Sequence, residues 1–265
     1  MHAGWLQRRA RYEPKWKSAF RWLNRKHARI LELERSLFSG RAKRVIANSQ
    51  LVKRDIVQHF RFPEDRIDVV YNGLPAHPIN PGSRGTVRKE LEISKDEYVA
   101  IFVGSGWERK GLRFAVEAIR QLGEDAPLLL VAGRGDERPL ASTPRVRFLG
   151  PRTDIPDLLA AADVFVLPTI YDPFSNASLE ALAAGLPVIT TRANGFSEII
   201  KRDVEGDLLP RPDDIEALMF SLCAWADPAR REMIRPRLLA KAAEFSIERN
   251  VNETLAVLEK ARTAK

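Results

Sequence analysis

VFVLPTIYDPFSNASLEALAAGLPVITTRANG, residues 164–195, is the stretch whose reading decides the fold. Val164–Leu167 is an apolar run of strand length, and Pro168 ends it. A polar loop carrying Asp172 follows. Ser175 stands as an N-cap, and Ala177, Leu179, Ala181, Leu182 and Ala184 make a short helix that Gly185 stops. Pro187–Thr191 is the next apolar strand. The result is a βαβ unit, which places loops and helix N-termini at the carboxyl ends of a parallel sheet. Asp172 and Glu180 are therefore expected to face one crevice, beside free N–H groups of Asn176, Ala177 and Ser178. Such amides bind phosphate, and a carboxylate accepts hydrogen bonds from sugar hydroxyls. The plainer reading makes Asp172 a turn residue and Glu180 a solvated helix residue.

Upstream, YVAIFV (98–103) is a continuous apolar strand, followed by Gly104-Ser105-Gly106-Trp107-Glu108-Arg109-Lys110-Gly111 and the helix LRFAVEAIRQL. A Gly-rich turn between strand and helix, with two adjacent cations, is a plausible diphosphate cradle; an ordinary turn with solvated cations is the alternative. It is not a Walker A loop, because no Gly-Lys-Ser/Thr occurs, and Arg109 occupies the third glycine position of a dinucleotide fingerprint. Leu128–Ala132 and Arg145–Leu149 are further strands. The Arg134-Gly135-Asp136 tripeptide lies at a strand–loop junction and is not read as an adhesion motif. Downstream, Gly206–Pro210 is the last strand, and DDIEALMFSLCAWA covers the sheet with Leu218, Phe220, Leu222, Cys223 and Trp225. Cys223, the only cysteine, is expected to be a core thiol, which excludes a disulfide framework or a cysteine-based zinc site within the chain and fits a reducing cytoplasm.

Towards the N-terminus, KRVIAN (43–48) and Ile67–Tyr71 read as strands around a helix that Ser49 caps. Leu74–Arg84, with three prolines and a glycine, reads as linker. Residues 1–61 hold 16 Lys and Arg against 4 Asp and Glu, whereas the remainder holds 27 against 31. Trp16, Phe20 and Leu23 form an aromatic helical face among these cations, a pattern for an anionic membrane surface or for packing against a neighbour. Solvated basic helices explain the charge equally well, and nucleic acid ranks last because no binding motif accompanies it. No apolar run approaches the ~18–20 residues of a membrane span.

The central segment resembles the donor site of retaining GT-B glycosyltransferases of family 4. Their Glu-x7-Glu motif continues into E-A-x-A-x-G-x-P; here it reads Asp172, seven residues, then Glu180-Ala181-Leu182-Ala183-Ala184-Gly185-Leu186-Pro187, with the first acid one methylene shorter. The 104–111 loop is similar to the G-S-x-x-x-R-K-G loop of lipopolysaccharide core glucosyltransferases, and RVIAN…RIDVVYNG to the end of the family's acceptor domain. The resemblance implies an α/β fold: one complete Rossmann-like C-terminal domain (85–245), the remnant of an N-terminal acceptor domain (41–78) behind a basic helical segment (1–40), a linker (79–84) and a C-terminal crossover helix (246–265). It implies a nucleotide-diphosphate sugar donor and transfer of a hexose, with retention, to a lipopolysaccharide-core or other glycan or glycolipid acceptor. Arg109 and Lys110 would neutralise the diphosphate, and Asp172 would orient a donor-sugar hydroxyl. Gly104, Ser105 and the amides of Asn176, Ala177 and Ser178 would hold the donor, Glu180 the ribose and Arg152 the base. No metal or other cofactor is required, since Arg and Lys replace a divalent ion. Most of the acceptor domain has no counterpart before Arg41, so a separately encoded N-terminal half is an expected partner and the chain alone is expected to transfer sugar poorly. The alternatives are an inactive nucleotide-sugar-binding fragment or pseudoenzyme, and a peripheral protein on the inner face of the cytoplasmic membrane that docks through Arg8, Arg9, Arg11, Lys15 and Lys17.

Overall fold

The computed structural model describes residues 1–14, 24–39, 42–75, 83–138, 140 and 143–263. The aromatic face at Trp16, Phe20 and Leu23, with Lys15 and Lys17, lies outside them. Two helices come first, α1 (His2–Arg9) and α2 (Arg25–Leu37). A small parallel unit follows: β1 (Val45–Ala47), α3 (Gln50–Phe60) and β2 (Ile67–Val69). Ser49 caps α3 by accepting from the Val52 amide at 3.2 Å.

After α4 (Ser83–Glu90), which takes up Ser83 and Arg84 from the stretch read as linker, the chain builds one six-stranded sheet. Its elements in order are β3 (Val99–Val103), α5 (Trp107–Lys110), α6 (Leu112–Leu122), β4 (Leu128–Ala132), β5 (Val146–Gly150), α7 (Ile155–Ala161) and β6 (Val164–Leu167). Then come α8 (Asn176–Ala183), β7 (Val188–Thr191), β8 (Gly206–Leu209), α9 (Ile215–Ala224), α10 (Pro228–Ala243) and α11 (Ile247–Thr263). All strand pairs are parallel, in the order β5-β4-β3-β6-β7-β8. Helices α6 and α9 pack together on one face, while α4 with α7 and α8 with α10 form pairs on the other. Covered on both faces, the central strands β3, β6 and β7 are buried throughout, which is why they read as unbroken apolar runs.

The order reverses between β3 and β6, and a doubly wound sheet opens a crevice at the carboxyl ends of such strands. Gly111 locks the two loops there together. It has φ +75°, and a Cβ on it would sit 1.9 Å from the Pro168 carbonyl oxygen. The contact is completed by the Ile170 amide and the Thr169 hydroxyl, each donating to the Arg109 carbonyl at 2.9 Å.

One expectation about α9 fails. Leu218, Leu222 and Trp225 point inward at helical spacing, but Phe220 is 70% exposed and Cys223 is exposed too. A helix has room for one apolar stripe facing the core, and these two residues fall off it.

The two parallel units are joined by hydrogen bonds. Glu198 accepts from the Gln50 and Leu51 amides at 2.8 and 2.7 Å, closing the N-terminus of α3, and from the Tyr71 hydroxyl at 3.1 Å. Ser49 donates to the Pro173 carbonyl at 2.6 Å, and α11 crosses back so that Asn250 reaches the Tyr71 carbonyl at 2.7 Å.

Candidate functional site

At the carboxyl end of β3 the chain turns through Gly104 and Gly106 into the single helical turn α5, which delivers Arg109 and Lys110. The Lys110 alkyl chain lies against Gly104, where a Cβ would come within 2.6 Å of its Cδ and Cε atoms. Lys110 is thereby pressed toward the loop after β6. Its Nζ donates to Asp172 Oδ2 at 3.0 Å, and Arg109 Nη1 donates to the same oxygen at 3.3 Å and to the Tyr171 carbonyl at 2.9 Å. Asp172 and Lys110 are only 5% and 9% exposed.

The Asp172 backbone is pinned as well. Its amide donates to the Ala193 carbonyl at 3.0 Å, and its carbonyl accepts from the Gly195 amide at 2.9 Å. Asn194, fully buried, ties this loop to the start of α8. Its Oδ1 accepts from the Ser175 and Phe196 amides, and its Nδ2 donates to Thr190 Oγ1 at 3.1 Å. Nothing in the local sequence pattern singled out Asn194. Tyr171 was missed too: Arg8 lies over its ring at 4.8 Å, and burial, with Asp55 nearby, raises its pKa.

The amides at the start of α8 are not all free. Ser175 Oγ accepts from the Ser178 amide at 3.2 Å, the ordinary geometry of an N-cap, so Ser178 has no amide to offer. Those of Asn176 and Ala177 have no recorded partner among the described residues. Gly104 likewise spends its amide on the Ala132 carbonyl at 2.8 Å, and Ser105 Oγ accepts from the Arg134 amide at 3.1 Å.

The two carboxylates line different cavities. Asp172 and Arg109 line a cavity of about 360 Å³ with Trp5, Asn48 and Phe174. Glu180, roughly 6 Å further along the α8 axis than Asn176, lines a second cavity of about 660 Å³ with Leu74, Thr153, Ile155 and Phe245. Arg152 belongs to neither set of walls. It makes a two-pronged ion pair with Asp154 and reaches Glu90 at 3.3 Å. Among the described residues no group of three or more His, Cys, Asp or Glu side chains could hold a metal ion.

The basic front is partly spent inside the molecule. Arg8 grips the buried Asp55 through both terminal nitrogens, at 3.1 and 3.0 Å, and Arg9 pairs with Glu108 at 2.8 Å and with Glu13 at 3.0 Å. These two cations face the protein, contrary to the membrane-docking expectation. Among the described residues no helix is long and apolar enough to cross a membrane.

A six-stranded doubly wound parallel sheet, with Arg109 and Lys110 converging at its switch point, is an α/β fold of the GT-B type. Comparison with known proteins takes this to a family. The family model for glycosyl transferases group 1 matches residues 97–227, and that for glycosyltransferase family 4 matches residues 1–77. D-inositol 3-phosphate glycosyltransferase of Salinispora tropica is 30% identical over 251 residues, covering 82% of this chain and 50% of the relative. WaaG, a glycosyltransferase involved in lipopolysaccharide biosynthesis, superposes with a TM-score of 0.75 at 25% identity, over 89% of this chain and 67% of WaaG. HepE of Anabaena, crystallised with UDP and glucose, gives a TM-score of 0.72 at 23% identity, over 84% of this chain and 63% of HepE. The chain belongs to glycosyltransferase family 4. It spans about half the length of the first curated relatives it matches.

Proposed function

We propose that this chain holds the donor in a retaining transfer of a hexose from a nucleoside diphosphate sugar to a lipopolysaccharide-core or other glycan or glycolipid acceptor. The observation that carries the reading is the convergence of Arg109 and Lys110 on Asp172 at the switch point. HepE, of the same fold, was crystallised with UDP and glucose. In this reading the apolar walls of the 660 Å³ cavity take the base and Glu180 accepts the ribose hydroxyls. The diphosphate lies against the α8 N-terminus and the two cations, and Asp172 holds a sugar hydroxyl. When the bond from the anomeric carbon to the phosphate oxygen breaks, negative charge grows on the leaving diphosphate. Fixed cations and amides lower the barrier because they need no reorganisation. Two cations do this without a metal ion.

Titration calorimetry with UDP tests the reading. Wild type is expected to bind, and Arg109→Ala with Lys110→Ala is expected to bind about 100-fold more weakly, each charge-assisted contact supplying about 1.5 kcal/mol. Equal binding by the double variant sinks the assignment.

Contact with the inner face of the cytoplasmic membrane, if the chain makes it, falls to α2 rather than to Arg8 and Arg9. There Leu33 and Leu37 are 58% and 65% exposed among Arg25, Lys26 and Arg29. Leu33→Asp with Leu37→Asp is expected to abolish co-sedimentation with anionic vesicles; unchanged sedimentation refutes this contact.

A further inference from the structure

Asp172 is the acid that the donor-site motif supplies, yet its carboxylate is turned onto the two cations. Lys110 Nζ and Arg109 Nη1 both donate to Oδ2, at 3.0 and 3.3 Å, whereas Oδ1 has no recorded partner among the described residues. Lys110 is nearly buried, and a buried ammonium without a counter-charge is costly. The backbone on either side of Asp172 is held by Ala193 and Gly195, so only its short side chain is free to turn. Arg109 keeps its remaining guanidinium nitrogens without a recorded partner among the described residues.

We propose that Asp172 is the internal counter-anion of Arg109 and Lys110, competing with the donor's diphosphate for them and giving them up when the donor binds. The inference rests on the reading of Arg109 and Lys110 as diphosphate ligands. One carboxylate only partly neutralises two cations. A doubly charged diphosphate neutralises them fully, and it repels a carboxylate on the same pair. The displaced side chain turns into the 360 Å³ cavity that it already lines, where a sugar hydroxyl would meet it. Donor binding and the readiness of Asp172 are thereby one event: the carboxylate is withheld until the diphosphate is in place. An aspartate suits this double duty. Its reach is about 1.5 Å shorter than that of the glutamate usual in the motif, so a small rotation takes it from the cations to the cavity.

The competition has a sign that a purely supportive Asp172 would not produce. Titration calorimetry with inorganic pyrophosphate and with UDP is to be run on wild type and on Asp172→Asn, with thermal melts to confirm folding. Removing the competing charge is expected to tighten both ligands about 10-fold, while transfer, where it can be measured, falls. Asp172→Ser is a second neutral substitution with the same expected direction, should the asparagine variant misfold. Lys110→Met is expected to cost more pyrophosphate affinity in the Asp172→Asn background than in wild type, where part of the lysine's charge is already satisfied. If wild type binds UDP and the neutral variants bind it equally or more weakly, the counter-anion role is refuted and the donor site stands. If no form of the protein binds either ligand, both fall.

Discussion

Strand β6 has an aspartate clasped by cations at each end, three arginines on Asp163 and Arg109 with Lys110 on Asp172, and the two clusters differ in what they leave open. Before the strand, Asp163 accepts from Arg84 at 2.7 Å, from Arg88 at 2.8 Å and from the Val99 amide at 2.8 Å. Those arginines serve the backbone too: Arg84 the Ala160, Ala161 and Ala162 carbonyls, and the buried Arg88 those of Ala161, Ser94, Lys95 and Glu97. After the strand, Asp172 has one oxygen shared and one without a recorded partner among the described residues, and Arg109, which lines a cavity, has guanidinium nitrogens without a recorded partner among them. Residue types are nearly the same at both ends. Saturation marks a cluster that holds the fold, and spare capacity marks one that can take a ligand.

The largest expected effect breaks this comparison at its saturated end. Arg88 is 4% exposed, and burial pulls its pKa down while the Asp163 charge pushes it back up. Asp163→Asn strands that guanidinium, at an expected cost of about 3–5 kcal/mol in chemical unfolding, with UDP affinity of the folded protein unchanged. At the open end a smaller cost is expected: the Arg109 and Lys110 double variant that loses UDP frees a carboxylate with one oxygen already without a recorded partner among the described residues, so it should unfold at a lower cost than Asp163→Asn. If both ends cost stability alike, spare donors are no guide to function.

The contrast also explains what could be read from sequence. Strands such as Val99–Val103 and Val164–Leu167 were legible because a sheet covered on both faces demands continuous apolar runs. Arg109, Lys110 and Asp172 were legible as separate motif positions, and the structure brings them together. Their pairing was not legible, because it depends on a lysine chain laid over Gly104 and a loop pinned by Gly195, 23 residues beyond Asp172. The separation of Glu180 from Asp172 was hidden for the same kind of reason: spacing along a chain does not tell on which side of a helix start a loop residue ends. The fates of Arg8 and Arg9 were invisible too, since their partners Asp55 and Glu108 lie 47 and 99 residues away.

A third cluster asks whether saturation or position along the strands decides the role. Glu198 follows β7, on the site's side of the sheet, but its carboxylate is fully used by the Gln50 and Leu51 amides, the Tyr71 hydroxyl and Arg54. If saturation decides, this cluster is structural despite its place, and Tyr71→Phe should leave UDP affinity within about twofold. The effect should appear instead in alkali. Burial, together with the Glu198 charge and hydrogen bond, pushes the Tyr71 pKa up to about 12. An unfolded tyrosine ionises near 10, so above that pH the unfolded chain holds fewer protons than the folded one, and stability falls. This contribution is fully present below about pH 10 and is lost as the pH rises to about 12. Burial raises the pKa values of Tyr98 and Tyr171 as well, so they steepen the same alkaline decline. Tyr71→Phe should therefore make the wild-type decline shallower without removing it, in urea unfolding midpoints taken from pH 8 to pH 11.5. A decline as steep as that of wild type would mean that Tyr71 is solvated and the junction between the two units is looser than its hydrogen bonds show. A large loss of UDP affinity would instead place the whole carboxyl end of the sheet in the donor site, and spare donors would no longer separate the two kinds of cluster.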